Sequence, residues 1–573
     1  MKAHYPALLL AAITAAAAPA SDARPGPPLT SYRNIPLWDA AQVPGAKGDG
    51  PLDAPFLTVF QPRAGKANGG AIVIAPGGGN IMLMYGAEGA DIAEVFNDWG
   101  VTAFVLTYRL SSRYDNDTRA LDGKRAIQLV RAHAAEWHLD AARIGFIGFS
   151  AGGHLGRSVL ATARPGDAKA ADPIERVGSR PDYAALIYGA GQATPGESLS
   201  NYPPTFLLSA AADQGPSLAN AQLFADLTKA GAIAELHVYQ RGRHGFGSGY
   251  ASPEFGDWMP RLEHFLRVGG FLPVASTTPS APQRRSAELR AAEPPPAASS
   301  RVASAAHVND GFGDYVHVPA GAFEMGDGVG DGLTREGPAH VVELDAFYIG
   351  KFEVTNAEWK KFRDDPGYDD VKLWPNGRAV PREQIPYWTQ PNNHGGGTPG
   401  TDAYPALGVN WDAATAYAAW LSARTGKRYR LPTEAEWEKA ARGSDRRRYP
   451  WGDAIDHSYA NFVGAQSFDT VQPVGFYDGS ARGPLQTHSN ASPYGAFDMA
   501  GNVMEWCQDW YARDYYAVSP RKNPKGPETG AYRVLRGGSF FVEAFDLRTY
   551  ARSAAWPSLQ GHRMVGVRLV REP

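Results

Sequence analysis

The chain has 573 residues, a length that suits about two or three domains rather than one. Apolar residues make up 43% and charged residues 20%, ordinary for globular protein, and a net charge of −3 gives nucleic acid or an anionic surface no reason to bind. The single cysteine, Cys507, excludes an intramolecular disulfide and a thiolate metal cluster.

Lys2 precedes an uncharged apolar run from Ala7 to Ala18, and Ala18-Pro19-Ala20 or Ser21-Asp22-Ala23 offers small residues for cleavage. Residues 1–23 therefore read as an export signal. The run is shorter than the about 20 apolar residues of a membrane span, and no later stretch reaches that length. The expectation is a secreted or periplasmic protein with no membrane span. Residues 24–68 are rich in proline and glycine and carry one strand at Phe56–Phe60. Strands and helices then alternate: a strand at Ala71–Ala75, a loop over Pro76–Asn80, a helix to Trp99 and a strand at Thr102–Leu106. Apolar residues at 126, 129, 130 and 134 predict a helix over Asp122–His138. A strand at Ile144–Phe149, a helix from His154, strands at Ala184–Tyr188 and Thr205–Leu208, a helix over Leu218–Ala230 and a strand at Glu235–Tyr239 follow. This alternation predicts an α/β unit over 24–272, a doubly wound, mainly parallel sheet covered on both faces.

At 273–305 the composition turns to proline, alanine and serine, with almost nothing to bury, and reads as a linker. The first unit is then expected to fold and work alone, with the second tethered beside it. In that second unit, 306–573, the texture changes: ten of the fourteen tryptophans lie after residue 350, among many glycines. Helices are predicted at Asp412–Thr425 and Thr433–Arg442. Loops dominate, and aromatic residues are expected to build the core.

The chemistry centres on Gly148-Phe149-Ser150-Ala151-Gly152, between a buried strand and a helix. So tight a strand-to-helix turn lifts the serine hydroxyl clear of the sheet and points a helix N-terminus at it. Acyl transfer by serine needs a base, an orienter for the base, and donors for the oxyanion, in the chain order serine, acid, histidine. Asp213 follows the strand from Thr205, and His244 follows the strand at Glu235–Tyr239. The loop Pro76-Gly77-Gly78-Gly79-Asn80 and the residue after the nucleophile supply the donors, assigned to Gly78, Gly79 and Ala151. A helix cap is the bland alternative for Asp213; His133, His138, His154 and His237 read as structural.

Residues 70–268 resemble α/β-hydrolases of the acetylxylan-esterase and feruloyl-esterase type through Ala75-Pro-Gly-Gly-Gly-Asn, Ile144-Gly-Phe-Ile-Gly-Phe-Ser-Ala-Gly-Gly-His-Leu and Gly242-Arg-His-Gly-Phe-Gly. The resemblance implies a serine carboxylesterase that removes acetyl or feruloyl groups from a plant polysaccharide such as xylan, with no cofactor. The short connection between Tyr188 and Thr205 leaves no room for a lid, so the cleft is expected to be open.

Residues from about 312 to 571 resemble the formylglycine-generating-enzyme, or sulfatase-modifying-factor, family. The segments are Val318-Pro-Ala-Gly-Ala-Phe-Glu-Met-Gly, Tyr429-Arg-Leu-Pro-Thr-Glu-Ala-Glu-Trp-Glu, Asp498-Met-Ala-Gly-Asn-Val-Met-Glu-Trp and Arg533-Val-Leu-Arg-Gly-Gly-Ser. The implied fold is irregular α+β, related to C-type lectins. The family's two copper-binding cysteines are replaced by Val542 and Leu547, which implies an accessory role without oxidase chemistry. The rival expectation makes this unit an active metal-dependent oxidoreductase and the hydrolase auxiliary, yet His317, His340, His394, His457 and His562 lack ligand-like spacing. The resemblance also implies a calcium site from the side chains of Asp498 and Glu505 and the carbonyls of Gly501 and Val503; the alternative is that these acids only hold a loop by hydrogen bonds.

Overall fold

The structure, a computed structural model, describes residues 29–39, 42–48, 50, 52–111, 113–191, 197–249, 252, 255–273, 307–382, 401–463, 468, 470–558 and 564–573. The export signal at 1–23, the linker but for Pro273, and His394 and His562 lie outside the described residues.

The N-terminal half is an eight-stranded sheet ordered β1-β2-β4-β3-β5-β6-β7-β8, with β1 Asn34–Pro36, β2 Phe56–Phe60, β3 Ala71–Ala75, β4 Thr102–Thr107, β5 Ile144–Phe149, β6 Tyr183–Ile187, β7 Thr205–Ala210 and β8 Ala234–Tyr239. β1 and β2 run antiparallel at one edge, and β3 to β8 are parallel. β3 and β5 are buried at every position, as central parallel strands covered on both faces must be. Successive side chains of β6 serve opposite faces: Ala184 and Leu186 pack with Leu207, Leu223 and Leu227, whereas Ala185 and Ile187 join the other core. α4 (Gln214–Lys229) supplies the two leucines on one face. On the other, α5 (Trp258–Val268) sets Trp258 against Phe149 and Phe265 against Phe206.

The sheet places the chemistry. β3 lies between β4 and β5, so the chain departs in opposite directions on either side of it. Loops at the carboxyl ends of β3 and β5 diverge there, where ligands of open α/β sheets bind. α1 (Asp91–Asp98) follows the loop after β3, and α3 (Ala151–Ala161) lines the crevice. One predicted helix is displaced. The element expected over 122–138 is α2 at Asn116–Ala132, started by Asp115, whose carboxylate accepts the Thr118 N–H at 2.8 Å. The inner side of its early turns is charged, with Arg119, Asp122 and Arg125 all buried, so the apolar period begins late.

The C-terminal half is irregular α+β, lectin-related. It joins a five-stranded sheet, a four-stranded sheet over Arg533–Arg536 and its neighbours, and helices α6 Asn356–Arg363, α7 Trp411–Thr425 and α8 Glu434–Arg442. Aromatic rings build much of its core, as around Phe362, where Trp359, Tyr368, Tyr417 and Trp420 meet. A buried arginine framework accompanies them: Arg536 bridges Glu434 and Glu438, Arg552 holds Glu434, and Arg568 holds Glu505. Removing one member of such a buried pair costs about 3–5 kcal/mol.

The halves are packed together rather than merely tethered. One cluster of buried apolar side chains runs through both, and rings meet across the boundary at Phe56–Trp556 (5.1 Å) and Phe60–Tyr532 (5.7 Å). Arg335, 4% exposed, reaches from the C-terminal half to Asp91 at 2.9 Å and Glu94 at 3.4 Å. No helix among the described residues is long and apolar enough to cross a membrane.

Candidate active site

β5 delivers Ser150 into a turn at φ +50°, ψ −117°, a conformation that a side chain rarely adopts. Glycine on either side is a steric requirement: a β-carbon on Gly148 would strike the Gly152 carbonyl, and one on Gly152 would strike the Ala75 carbonyl oxygen. From this turn the Ser150 hydroxyl meets His244 Nε2 at 2.5 Å, and His244 Nδ1 meets Asp213 Oδ2 at 2.6 Å. Asp213 does stand at the N-cap of α4, but its side chain makes no capping bond there and turns to the histidine instead. Burial pushes the His244 imidazole down; the bond and charge of Asp213, with the charge of Glu88, outweigh it and hold the pKa above the ordinary histidine value.

The glycine loop after β3 closes over the serine. A β-carbon on Gly77 would lie 2.8 Å from Ser150 Cβ, so only glycine permits this approach. Gly78 and Gly79 follow at φ +130° and +62°, and Ala151 opens α3. Gly77 is thus set against Ser150, and Ala151 follows it directly in the chain. The hydroxyl and imidazole face an open cleft of about 810 Å³, walled by Asn80, Asn116, Asp117, Arg119, His154 and Gly191 among others. His154, expected to be structural, stands in this wall, with burial followed by the charges of Arg119 and His244 holding it below its ordinary pKa.

Two residues absent from the expectation tie the site together. Glu88, buried, accepts the Gly77 N–H at 2.7 Å and the Tyr188 hydroxyl at 2.7 Å. Tyr188 in turn accepts the Gly247 N–H at 3.0 Å and lays its ring edge against His244 at 5.0 Å. One carboxylate and one phenol therefore link the loop of Gly77 to the loop of His244. Burial, only partly opposed by those bonds, raises the Glu88 pKa. A glutamate between small residues carries no sequence signal for this role.

The C-terminal half does not fit the metals its resemblance brings to mind. Val542 and Leu547 stand buried where copper would need thiolates, and Cys507 is packed elsewhere, its thiol pushed well up by burial. For calcium, both Glu505 oxygens are taken by Arg568 and Trp437 Nε1, with Arg568 Nη2 at 2.7 Å. Asp498 accepts from the Gly475 N–H at 2.6 Å and Asn490 Nδ2 at 2.9 Å. A guanidinium on the same carboxylate opposes a hard cation, so the Glu505 side chain as paired here does not suit the calcium expected with Asp498, Gly501 and Val503. His317, His340 and His457 lie apart, on Tyr348, Pro338 and Phe462, and no group of His, Cys, Asp or Glu among the described residues is placed to hold a metal.

Residues 300–573 match the family described as the Sulfatase-modifying factor enzyme 1-like domain, and residues 57–172 match the family described as BD-FAE. The formylglycine-generating enzyme of Streptomyces coelicolor is 35% identical over 300 residues, which is 47% of this chain and 92% of that protein. Serine/threonine-protein kinase pkn1 of Chlamydia caviae is 37% identical over 243 residues, 41% of this chain but only 34% of the kinase, so the chain spans about a third of that relative. Among solved structures, the acetyl ester-xyloside bifunctional hydrolase from Caldicellulosiruptor lactoaceticus is 32% identical, covering 43% of this chain and 98% of that one at a TM-score of 0.39. The N-terminal half is an esterase-like α/β-hydrolase domain, and through its C-terminal half the chain belongs to the formylglycine-generating-enzyme family, without that family's copper-binding cysteines.

Proposed function

We propose that the chain is an exported serine esterase that removes acyl groups, acetyl or feruloyl, from a plant polysaccharide such as xylan. The unbroken hydrogen-bond chain from Ser150 through His244 to Asp213, opening onto the cleft, is the observation that carries this reading. In the reaction, Ser150 Oγ attacks the ester carbonyl while His244 Nε2 takes the hydroxyl proton. The carbonyl oxygen becomes an oxyanion held by the N–H groups of Gly78, Gly79 and Ala151. Collapse expels the sugar hydroxyl, which receives the proton from His244 and leaves an acyl-enzyme. Water, deprotonated by His244, then releases the acid. Asp213 holds the imidazole in the right tautomer and stabilises its charged form.

The cleft mixes Asn80, Asn116, Arg119, Ser158 and Thr162 with Leu155, Ala190 and Pro216, a lining that can take an acyl group beside a hydroxylated sugar, and its openness suits a polymer. The apolar leader at 1–23 supports export into the secreted or periplasmic space. Ser150→Ala should lower turnover of a short acyl ester by roughly 10⁴–10⁶, leaving only binding and the oxyanion donors. More than a tenth of the wild-type rate in that variant would end the reading. Release of acetate or ferulate from acylated xylan fragments then names the acyl group.

A further inference from the structure

Two loops of the N-terminal half carry the groups that the esterase reading needs, and both lean on the C-terminal half. The first follows β3. Its Met84 N–H donates to the Gly77 carbonyl at 3.0 Å, fixing the backbone that presents Gly78 and Gly79. The Met84 side chain is buried in a small cluster whose other buried members, Leu407, Val503 and Phe540 among them, all come from the C-terminal half. Gly86, just beyond, lies against Ser553, where a β-carbon would stand 2.5 Å from the hydroxyl.

The second loop carries His244. Gly242, Gly245 and Gly247 all have positive φ, so the segment has little conformational preference of its own to hold its shape. The Phe541 ring lies against it, with Cε1 3.0 Å from where a Gly245 β-carbon would be. Phe541 is 39% exposed, while Phe540 and Val542 beside it are buried and anchor the strip. The Val542 carbonyl accepts the Val463 N–H at 3.0 Å, fixing the strip to a second segment of the same half. The crevice shared by Met84, His244, Gly245, Phe541 and Val542 measures about 20 Å³, so the two surfaces close on one another beside the base.

We propose that the C-terminal half is a working part of the esterase site: Phe541 is a positioning residue for His244, and the cluster that Met84 joins with Leu407, Val503 and Phe540 braces the oxyanion loop. The inference rests on the esterase reading. It explains why the unit is packed onto the hydrolase beside its catalytic loops rather than hung from it: an imidazole that must keep bonds to both Ser150 and Asp213 tolerates little drift of its loop.

The test uses the full chain, with thermal midpoint and far-ultraviolet circular dichroism confirming the fold of each variant. Phe541→Ala is expected to lower kcat on a short acyl ester by about tenfold while KM stays within about twofold. Loosening the Asp213–His244 bond leaves burial to act on the imidazole, so the acidic limb of kcat/KM moves to lower pH. Phe541→Tyr should restore both rate and limb. Met84→Ala should lower kcat with the limb unmoved, because its loop acts on the oxyanion and not on the base. If Phe541→Ala fails to fold, Phe541→Gln, which keeps much of the length at a site open to water, is read the same way. A folded Phe541 variant with wild-type kcat and an unmoved limb overturns the proposal. Ser150→Ala measured beside it separates the two failures: if that variant is inactive and the Phe541 variant normal, only the positioning role falls; if it stays active, the esterase reading falls first.

Discussion

Ser150 holds a strained backbone, and its hydroxyl bonds to an imidazole whose other nitrogen is held by Asp213. Only the neutral imidazole can accept the serine proton, so activity must fall as pH drops through the His244 pKa. That pKa is raised by Asp213 and Glu88 despite burial, which places the acidic limb of kcat/KM above the ordinary histidine value near 6.5. Asp213→Asn should move the limb downward and cut kcat by about 10⁴-fold, since the amide favours the wrong tautomer. A pH–rate series on a short ester checks both; a limb that stays in place in the variant would remove Asp213 from its role. Ser150, Asp213 and His244 were legible in the sequence because each follows a strand in a fixed order. Glu88 and Tyr188 were not. A carboxylate becomes a buried brace only when the fold brings the Gly77 N–H and the Tyr188 hydroxyl to it, and nothing local marks that meeting.

At the scale of elements, the turn between β5 and α3 is set by backbone packing against the end of β3. Gly152 passes beneath the Ala75 and Pro76 carbonyls, the latter 2.7 Å from a β-carbon built there. Both neighbours are backbone and cannot rotate aside. Gly152→Ala should therefore cost about 1–3 kcal/mol by overpacking and displace the loop that carries Gly78 and Gly79. The expected result is a lower urea midpoint at unchanged m-value, with a loss of kcat larger than the stability loss alone explains. Full activity and an unshifted midpoint would show that the strand end yields freely. The strands themselves were easy to place, being short apolar runs between turn residues. The α2 boundary was not, because Arg119, Asp122 and Arg125 turn inward, Asp122 to pair with Arg109, and erase the apolar period used to find a helix start.

For the whole molecule, the junction between halves is the feature least visible in sequence, since its partners are hundreds of residues apart. Arg335 and Glu94 are separated by 241 positions. At the boundary Arg335 pairs with Asp91 and Glu94 and feels the charges of Glu336 and Asp546, and Tyr511 donates its hydroxyl to Glu94. Two carboxylates pair with one guanidinium in a buried place and two more crowd it, so one of them keeps a proton more readily than in water. Burial, with Asp546 and Glu94 adding to it and Arg335 opposing, pushes Asp91 up to about 7. The sign follows from the proton count: between the ordinary carboxylate value near 4 and about 7, the folded protein binds more protons at Asp91 than the unfolded chain does. Stability is therefore fully present below that window and is lost as pH rises through it, at no more than about 1.4 kcal/mol per pH unit. Asp91→Asn removes the titrating group, so its thermal midpoint should change less between pH 5 and pH 8 than that of the wild type, with the gain in relative stability greatest at the alkaline end. The measurement is a set of melting curves for both proteins across that range at fixed ionic strength. Parallel profiles would mean that Asp91 stays ionised beside Arg335 throughout and that the junction holds a plain ion pair.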